Sequence, residues 1–171
     1  MSEAVAVSSS ASDRSPAIAG LEQSPQSPIL AAARERGQRD NLPYAGSVTP
    51  QEAWELFSRD EVVFVDVRTA EERKFVGQVA DTVHVPWATG TSLNRNPRFV
   101  KELERVAGKD EAILFLCRSG KRSAAAAEAA TKAGFRDVFN VLEGFEGDLD
   151  EHQRRGAFNG WRHAGLPWVQ D

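Results

Sequence analysis

The chain has one cysteine, Cys117, among 171 residues, and that scarcity excludes more than any other feature of its composition. No intramolecular disulfide can form, and no Cys-rich zinc or iron–sulfur site can be assembled. Redox chemistry at Cys117 would need an external thiol, since the chain holds no resolving partner. A lone thiol also fits a reducing compartment better than an oxidising one. Histidine is scarce too: His84, His152 and His163 are the whole set, and none stands at a spacing that declares a partner for the cysteine. No metal is expected. Positive charge is in deficit, with 21 Lys and Arg against 25 Asp and Glu and a formal charge of −4, which argues against nucleic acid as a main partner. No stretch approaches the roughly 20 apolar residues a membrane span needs. The N-terminus lacks a charged start followed by an apolar core, so no secretory signal is expected and the cytoplasm is the default compartment.

What is present divides the chain in two. Residues 1–40 are expected to form a disordered or weakly ordered tail, because the Ser-, Ala- and Pro-rich start buries too little surface to offset its ordering entropy. A docking or targeting role is the alternative for that tail. A short helix is conceivable over 29–39, broken by Asn41-Leu42-Pro43. Residues 41–171 are expected to form the domain. There, Thr49-Pro50-Gln51-Glu52 is a helix start with N-cap, N1 proline and a capping-box glutamate. Apolar runs at 62–65, 82–85, 112–116 and 138–142 read as strands. Helices are expected over 70–75, 96–106, 123–132 and 146–155. Buried strands separated by helices imply an α/β fold, with a mostly parallel central sheet flanked by helices on both faces.

The run at 112–116 leads straight into Cys117-Arg118-Ser119-Gly120-Lys121-Arg122 and then a helix. In parallel α/β sheets, ligands bind at the carboxyl ends of strands. A helix N-terminus directs free N–H groups toward such a loop, and Gly120 permits a curl that turns loop amides inward. Arg118, Lys121 and Arg122 concentrate three cations in an otherwise acidic chain. All of these terms favour an anionic, nucleophilic sulfur and would also hold an incoming anion. Had the cysteine sat mid-strand among apolar residues, it would read as a small buried hydrophobe instead.

On these residues the chain resembles the single-domain rhodaneses, thiosulfate sulfurtransferases of a compact α/β fold with a five-stranded sheet. The resemblance rests on 117–123, on Asp66-Val67-Arg68 followed by Glu72, on His84-Val85-Pro86, on Asn140-Val141-Leu142-Glu143-Gly144-Phe145, and on Trp161 with Leu166-Pro167-Trp168. It spans roughly 48–168. Gly77-Gln78-Val79 stands where many members have Gly-His-Ile, with Gly77 one residue further from Arg68 than is common; the departure concerns a turn rather than the chemistry.

The resemblance implies that Cys117 carries sulfur as a persulfide taken from thiosulfate or a related small anionic donor. It further implies that Arg118, Ser119, Gly120, Lys121, Arg122 and Ser123 bind the transferred sulfur and the anion. The acceptor would be cyanide or a thiol, and no cofactor is required. The three loop cations favour thiosulfate over mercaptopyruvate. Asp66 and Arg68 are expected to support the site structurally as a charged pair at the end of a buried strand, and Trp87 is a packing residue that could wall the pocket. No membrane partner is expected, and the chain should be a monomer or weak dimer. Three alternatives stand beside this reading: a non-catalytic rhodanese-like binding module, sulfur relay to a protein partner, and a cysteine phosphatase or arsenate reductase. The last needs Cys-x5-Arg, and Ser123 occupies the arginine's position here.

Overall fold

The structure, a computed structural model, describes residues 27–171. The expectation for residues 1–26 therefore lies outside the described residues. For the rest of the proposed tail the boundary is corrected. Helix α1 (Pro28–Arg39) starts on a Ser27 cap that accepts the Ile29 N–H, and it buries Leu30 and Ala33. Arg34 bonds Asp137 at 3.0 Å and Arg36 donates to the Ser47 carbonyl at 2.9 Å, so α1 is fastened to both β7 and β1. Its alanine stripe and two arginine contacts are long-range, which is why composition alone assigned it to the tail.

After α1 come β1 (Gly46–Val48), α2 (Pro50–Ser58), β2 (Val63–Asp66), α3 (Ala70–Phe75), β3 (Val83–His84), β4 (Ala88–Thr89), β5 (Asn94–Arg95), α4 (Phe99–Val106), β6 (Ala112–Leu116), α5 (Lys121–Lys132) and β7 (Asp137–Val141). Five strands form one sheet in the order β1-β7-β6-β2-β3, every pair parallel. The antiparallel pair β4–β5 stands apart as a small hairpin. Neither β1 nor the hairpin was anticipated, because each is too short to show a hydrophobic period of its own.

Alternate residues of the central strands face opposite layers. Val65, Ile113, Phe115 and Val138 pack with Phe99 and Leu103 of α4 and with Ala126, Ala127 and Ala130 of α5. Phe64, Leu114, Leu116, Phe139 and Val141 pack on the other face with Leu30 and Ala33 of α1, Ala53 and Leu56 of α2, and Trp161. Helix α2 begins in the anticipated Thr49–Glu52 capping box, and α3 begins in a second one between Thr69 and Glu72.

The helix expected over 146–155 is absent. Local side-chain bonds take its place: Asp150 Oδ1 accepts the N–H groups of His152 and Arg154, and Asp148 and Asn159 bond each other reciprocally. Such Asx-type bonds compete directly with helical ones.

Candidate active site

Cys117 directly follows β6, the strand lying between β7 and β2, so it stands at the carboxyl edge of the sheet. It is buried, 1% exposed. The Gly120 N–H donates to Sγ at 3.0 Å, and Ser123 Oγ lies 3.2 Å away. Gly120 has φ +99, a left-handed conformation that turns its amide back on the sulfur. Helix α5 follows at once. It starts at Lys121, two residues earlier than expected, so Lys121, Arg122 and Ser123 form its first turn. No side chain caps this helix, which leaves first-turn N–H groups and the positive dipole end facing the loop.

A closed ring of hydrogen bonds holds the sulfur. Ser123 Oγ donates to Asn140 Oδ1, Asn140 Nδ2 donates to the Gly120 carbonyl at 3.1 Å, and the Gly120 amide returns to Sγ. Asn140 is buried on β7. Its side chain welds the loop to a strand more than one element away, a role that its place in a strand pattern did not signal. Beyond β7, the chain bends back over the loop. Phe145 N–H donates to the Cys117 carbonyl at 2.8 Å, and Glu146 and Gly147 donate to the Arg118 carbonyl. Gly144 makes this possible: a Cβ there would come within 2.4 Å of the Arg118 backbone.

The anticipated anion-binding residues separate into distinct groups. Cys117, Gly120 and Ser123 meet at the sulfur. Ser119 lies half-buried in the turn, and Lys121 is exposed. Arg118 lines a cleft beside the loop, and its Nε is buried without a hydrogen-bond partner. Arg122 is the correction. Its two terminal nitrogens each bond a Glu72 oxygen at 2.8 Å, so its guanidinium bridges α5 to α3 rather than standing free for an anion. Burial alone would raise the Glu72 pKa. The Arg122 hydrogen bonds, the Thr69 N–H and the charges of Arg122 and Arg68 outweigh it and hold the carboxyl down at about 2. Burial likewise works to lower the Arg122 pKa, but Glu72 first, then Cys117 and Asp66, raise it above its ordinary value. Glu72 thus belongs to the site's frame; its i to i+50 partner was invisible in the sequence, although its capping-box position was legible.

Asp66 and Arg68 are both fully buried. Arg68 Nη2 bonds Asp66 Oδ2 and the Gly77 carbonyl, each at 2.8 Å, and Arg73 adds a second cation to Asp66 at 3.0 Å. The guanidinium lies 4.3 Å over the Phe145 ring. This cluster joins β2, α3 and the segment after β7. His84 bonds the Arg68 carbonyl at 2.8 Å, while His152 and His163 are exposed; none is bonded to Cys117. Trp87 packs edge-on against Phe99 and lies under Arg95. It does not line the cleft beside the loop, which has a volume of about 370 Å³ and is walled by Arg118, Arg122, Arg155, Glu71, Glu146 and the β4–β5 hairpin around Gly90. Among the described residues no cluster of His, Cys, Asp or Glu is placed to hold a metal ion, and no helix is long and apolar enough to cross a membrane.

A cysteine sulfur that accepts an inward amide at a helix N-terminus is placed to attack an electrophilic atom and hold the anion that results. Comparison with known proteins points the same way. The family model of the rhodanese-like domain matches residues 49–151. The crystal structure of Rv0390 from M. tuberculosis is similar with a TM-score of 0.68 and 46% identity, covering 75% of this chain and 99% of that one. An uncharacterised protein of Rickettsia conorii, RC0915, is 34% identical over 119 residues, covering 66% of this chain and 87% of its own length. The thiosulfate sulfurtransferase GlpE of Coxiella burnetii is 27% identical over 95 residues, covering 56% of this chain and 78% of its own.

Proposed function

The chain belongs to the rhodanese-like domain family, and from that premise we propose that it is a sulfurtransferase that carries sulfane sulfur on Cys117. The observation that supports this most directly is the sulfur's setting: an inward amide at 3.0 Å, a hydroxyl at 3.2 Å and an uncapped helix N-terminus behind them. The donor we assign is thiosulfate or a related small anion, the substrate named for the GlpE relative.

In the first half-reaction the Cys117 thiolate attacks the outer sulfur of thiosulfate. A new S–S bond forms at Cys117, the S–S bond of the donor breaks, and its electron pair leaves with sulfite. The enzyme then holds an anionic persulfide, to which the Gly120 N–H can donate. In the second, cyanide or a thiolate attacks that outer sulfur and the electron pair returns to Cys117. Arg118 and Lys121 supply positive charge for the donor's sulfonate end. Arg122 is paired with Glu72, which offsets its charge, so the loop's pull on a doubly charged donor is smaller than three free cations would give.

Intact mass after incubation with thiosulfate tests the reading. The expected result is a gain of about 32 Da that is absent in Cys117→Ala and discharged by cyanide as thiocyanate. No adduct on the wild-type chain would overturn it. Faster hydrolysis of an aryl phosphate than formation of thiocyanate would replace it with phosphatase chemistry, which the engagement of Arg122 by Glu72 disfavours.

A further inference from the structure

We propose that the cleft beside the loop is a subsite for a carboxylate-bearing organic thiol that accepts the sulfur, with Arg118 and Arg155 holding its carboxylates. The proposal rests on the reading of Cys117 as a persulfide carrier and names the class of acceptor.

Size is the first argument. The cleft measures about 370 Å³, within the range that encloses whole organic ligands, whereas thiosulfate and cyanide are anions of a few atoms. Charge is the second. Of the three arginines on its walls, Arg122 is neutralised by Glu72. Arg118 and Arg155 have no carboxylate partner among the described residues. Arg118 Nε has no hydrogen-bond partner among the described residues, so the fold leaves its guanidinium uncommitted while the residue lines the cleft. Arg155 is anchored by one nitrogen to the Gly147 carbonyl at 2.8 Å, which positions the guanidinium without using its charge. A planar guanidinium so placed matches a carboxylate.

The acids on the same walls narrow the class. Glu72 is occupied, and Glu146 faces Arg162 at 3.9 Å. Glu71 is exposed with no ion pair among the described residues. Two available cations and one available carboxylate suit a thiol of amino-acid or peptide type, carrying carboxylates and an ammonium group, better than a bare polyanion. Arg155 lies beyond residues 49–151, the part matched by the family model, so this wall is contributed by the chain's own C-terminal segment.

The step balances without another reactant. The acceptor thiol loses its proton to solvent, its sulfur bonds the outer sulfur of the Cys117 persulfide, and the bond to Cys117 breaks with the electron pair returning to that residue. The products are an organic persulfide anion and the Cys117 thiolate.

Glutathione and its diethyl ester, the same thiol with its carboxylates masked, are the probes. Protein loaded with thiosulfate and freed of excess donor is mixed with each, and the half-saturating concentration for discharge is read from sulfur loss by mass. Glutathione should half-saturate about a hundredfold below the ester, about tenfold for each guanidinium, and Arg155→Gln should reduce that ratio about tenfold, the scale of one charge-assisted hydrogen bond. In wild-type protein the ratio should also fall as salt is raised, a readout that needs no variant. Equal constants for acid and ester, or a ratio that survives both Arg155→Gln and high salt, would overturn the subsite while leaving the persulfide reading intact. Failure of thiosulfate to load Cys117 would overturn both.

Discussion

Replacing Glu72 by glutamine removes the charge that holds Arg122 while keeping the side chain's shape, which makes it a sensitive probe of the α3–α5 bridge. The wild-type carboxyl is held at about 2 against an ordinary 4.5. A group with a depressed folded-state pKa adds stability that is complete above its unfolded value and is lost as pH falls through the folded one. The full shift corresponds to at most about 3 kcal/mol at neutral pH. Both side chains keep a water-facing edge, 17% exposed for Glu72 and 16% for Arg122, and solvent screening brings the expectation to about 2 kcal/mol. Urea unfolding at pH 7 should therefore show Glu72→Gln less stable by about 2 kcal/mol with an unchanged m value, and melting lower by about 4–8 °C. The gap should narrow as acid protonates the wild-type carboxyl, falling to about half near pH 3.5 and closing toward pH 2. A gap below about 0.5 kcal/mol at pH 7 would class the pair with ordinary surface ion pairs. A gap as large at pH 3 as at pH 7 would trace the loss to packing, and the electrostatic argument would fail.

Two further substitutions address the loop itself. Ser123→Ala removes the hydroxyl between Cys117 and Asn140 and leaves Asn140 Oδ1 buried without its donor. Persulfide formation should slow by about tenfold and stability fall by about 1 kcal/mol; single-turnover kinetics at the wild-type rate would show that the ring is not part of the chemistry. Gly144→Ala places a methyl group within 2.4 Å of the Arg118 backbone at a φ of +70, so the variant should lose about 2–4 kcal/mol. Thermal unfolding within 2 °C of wild type, on the order of experimental scatter for a domain of this size, would contradict the close approach.

Much of this arrangement was legible before the fold was known. The apolar run at 112–116 is buried on both faces as β6, and the cysteine after it stands at a strand's carboxyl end, because both facts are local to a few consecutive residues. The capping box at Thr49 and Glu52 was readable for the same reason. The misses follow the opposite rule. Helix α1 was assigned to a tail because its binding to β1 and β7 depends on residues up to 103 positions away. The segment 146–155 has helical composition, but Asp150 spends its carboxylate on its neighbours' amides. The boundary of α5 shifted by two residues because Gly120 takes a left-handed turn that moves Lys121 into the helix.

Sequence alone was enough to place the cysteine at a strand's carboxyl end, the glycine whose turn brings an amide onto the sulfur, and the α/β layering, since strand, turn and helix signals all act over one or two turns of chain. Tertiary structure decided where each charge near that cysteine goes. Three cations within six residues read alike on paper. In the fold, Arg122 meets Glu72 across 50 positions, Arg118 turns into a cleft completed by Arg155, and Lys121 remains at the surface. The physical reason is that a guanidinium's effect depends on whether a carboxylate stands within hydrogen-bond reach. For residues so far apart in sequence, only the packing of α3, α5 and the segment after β7 determines that distance.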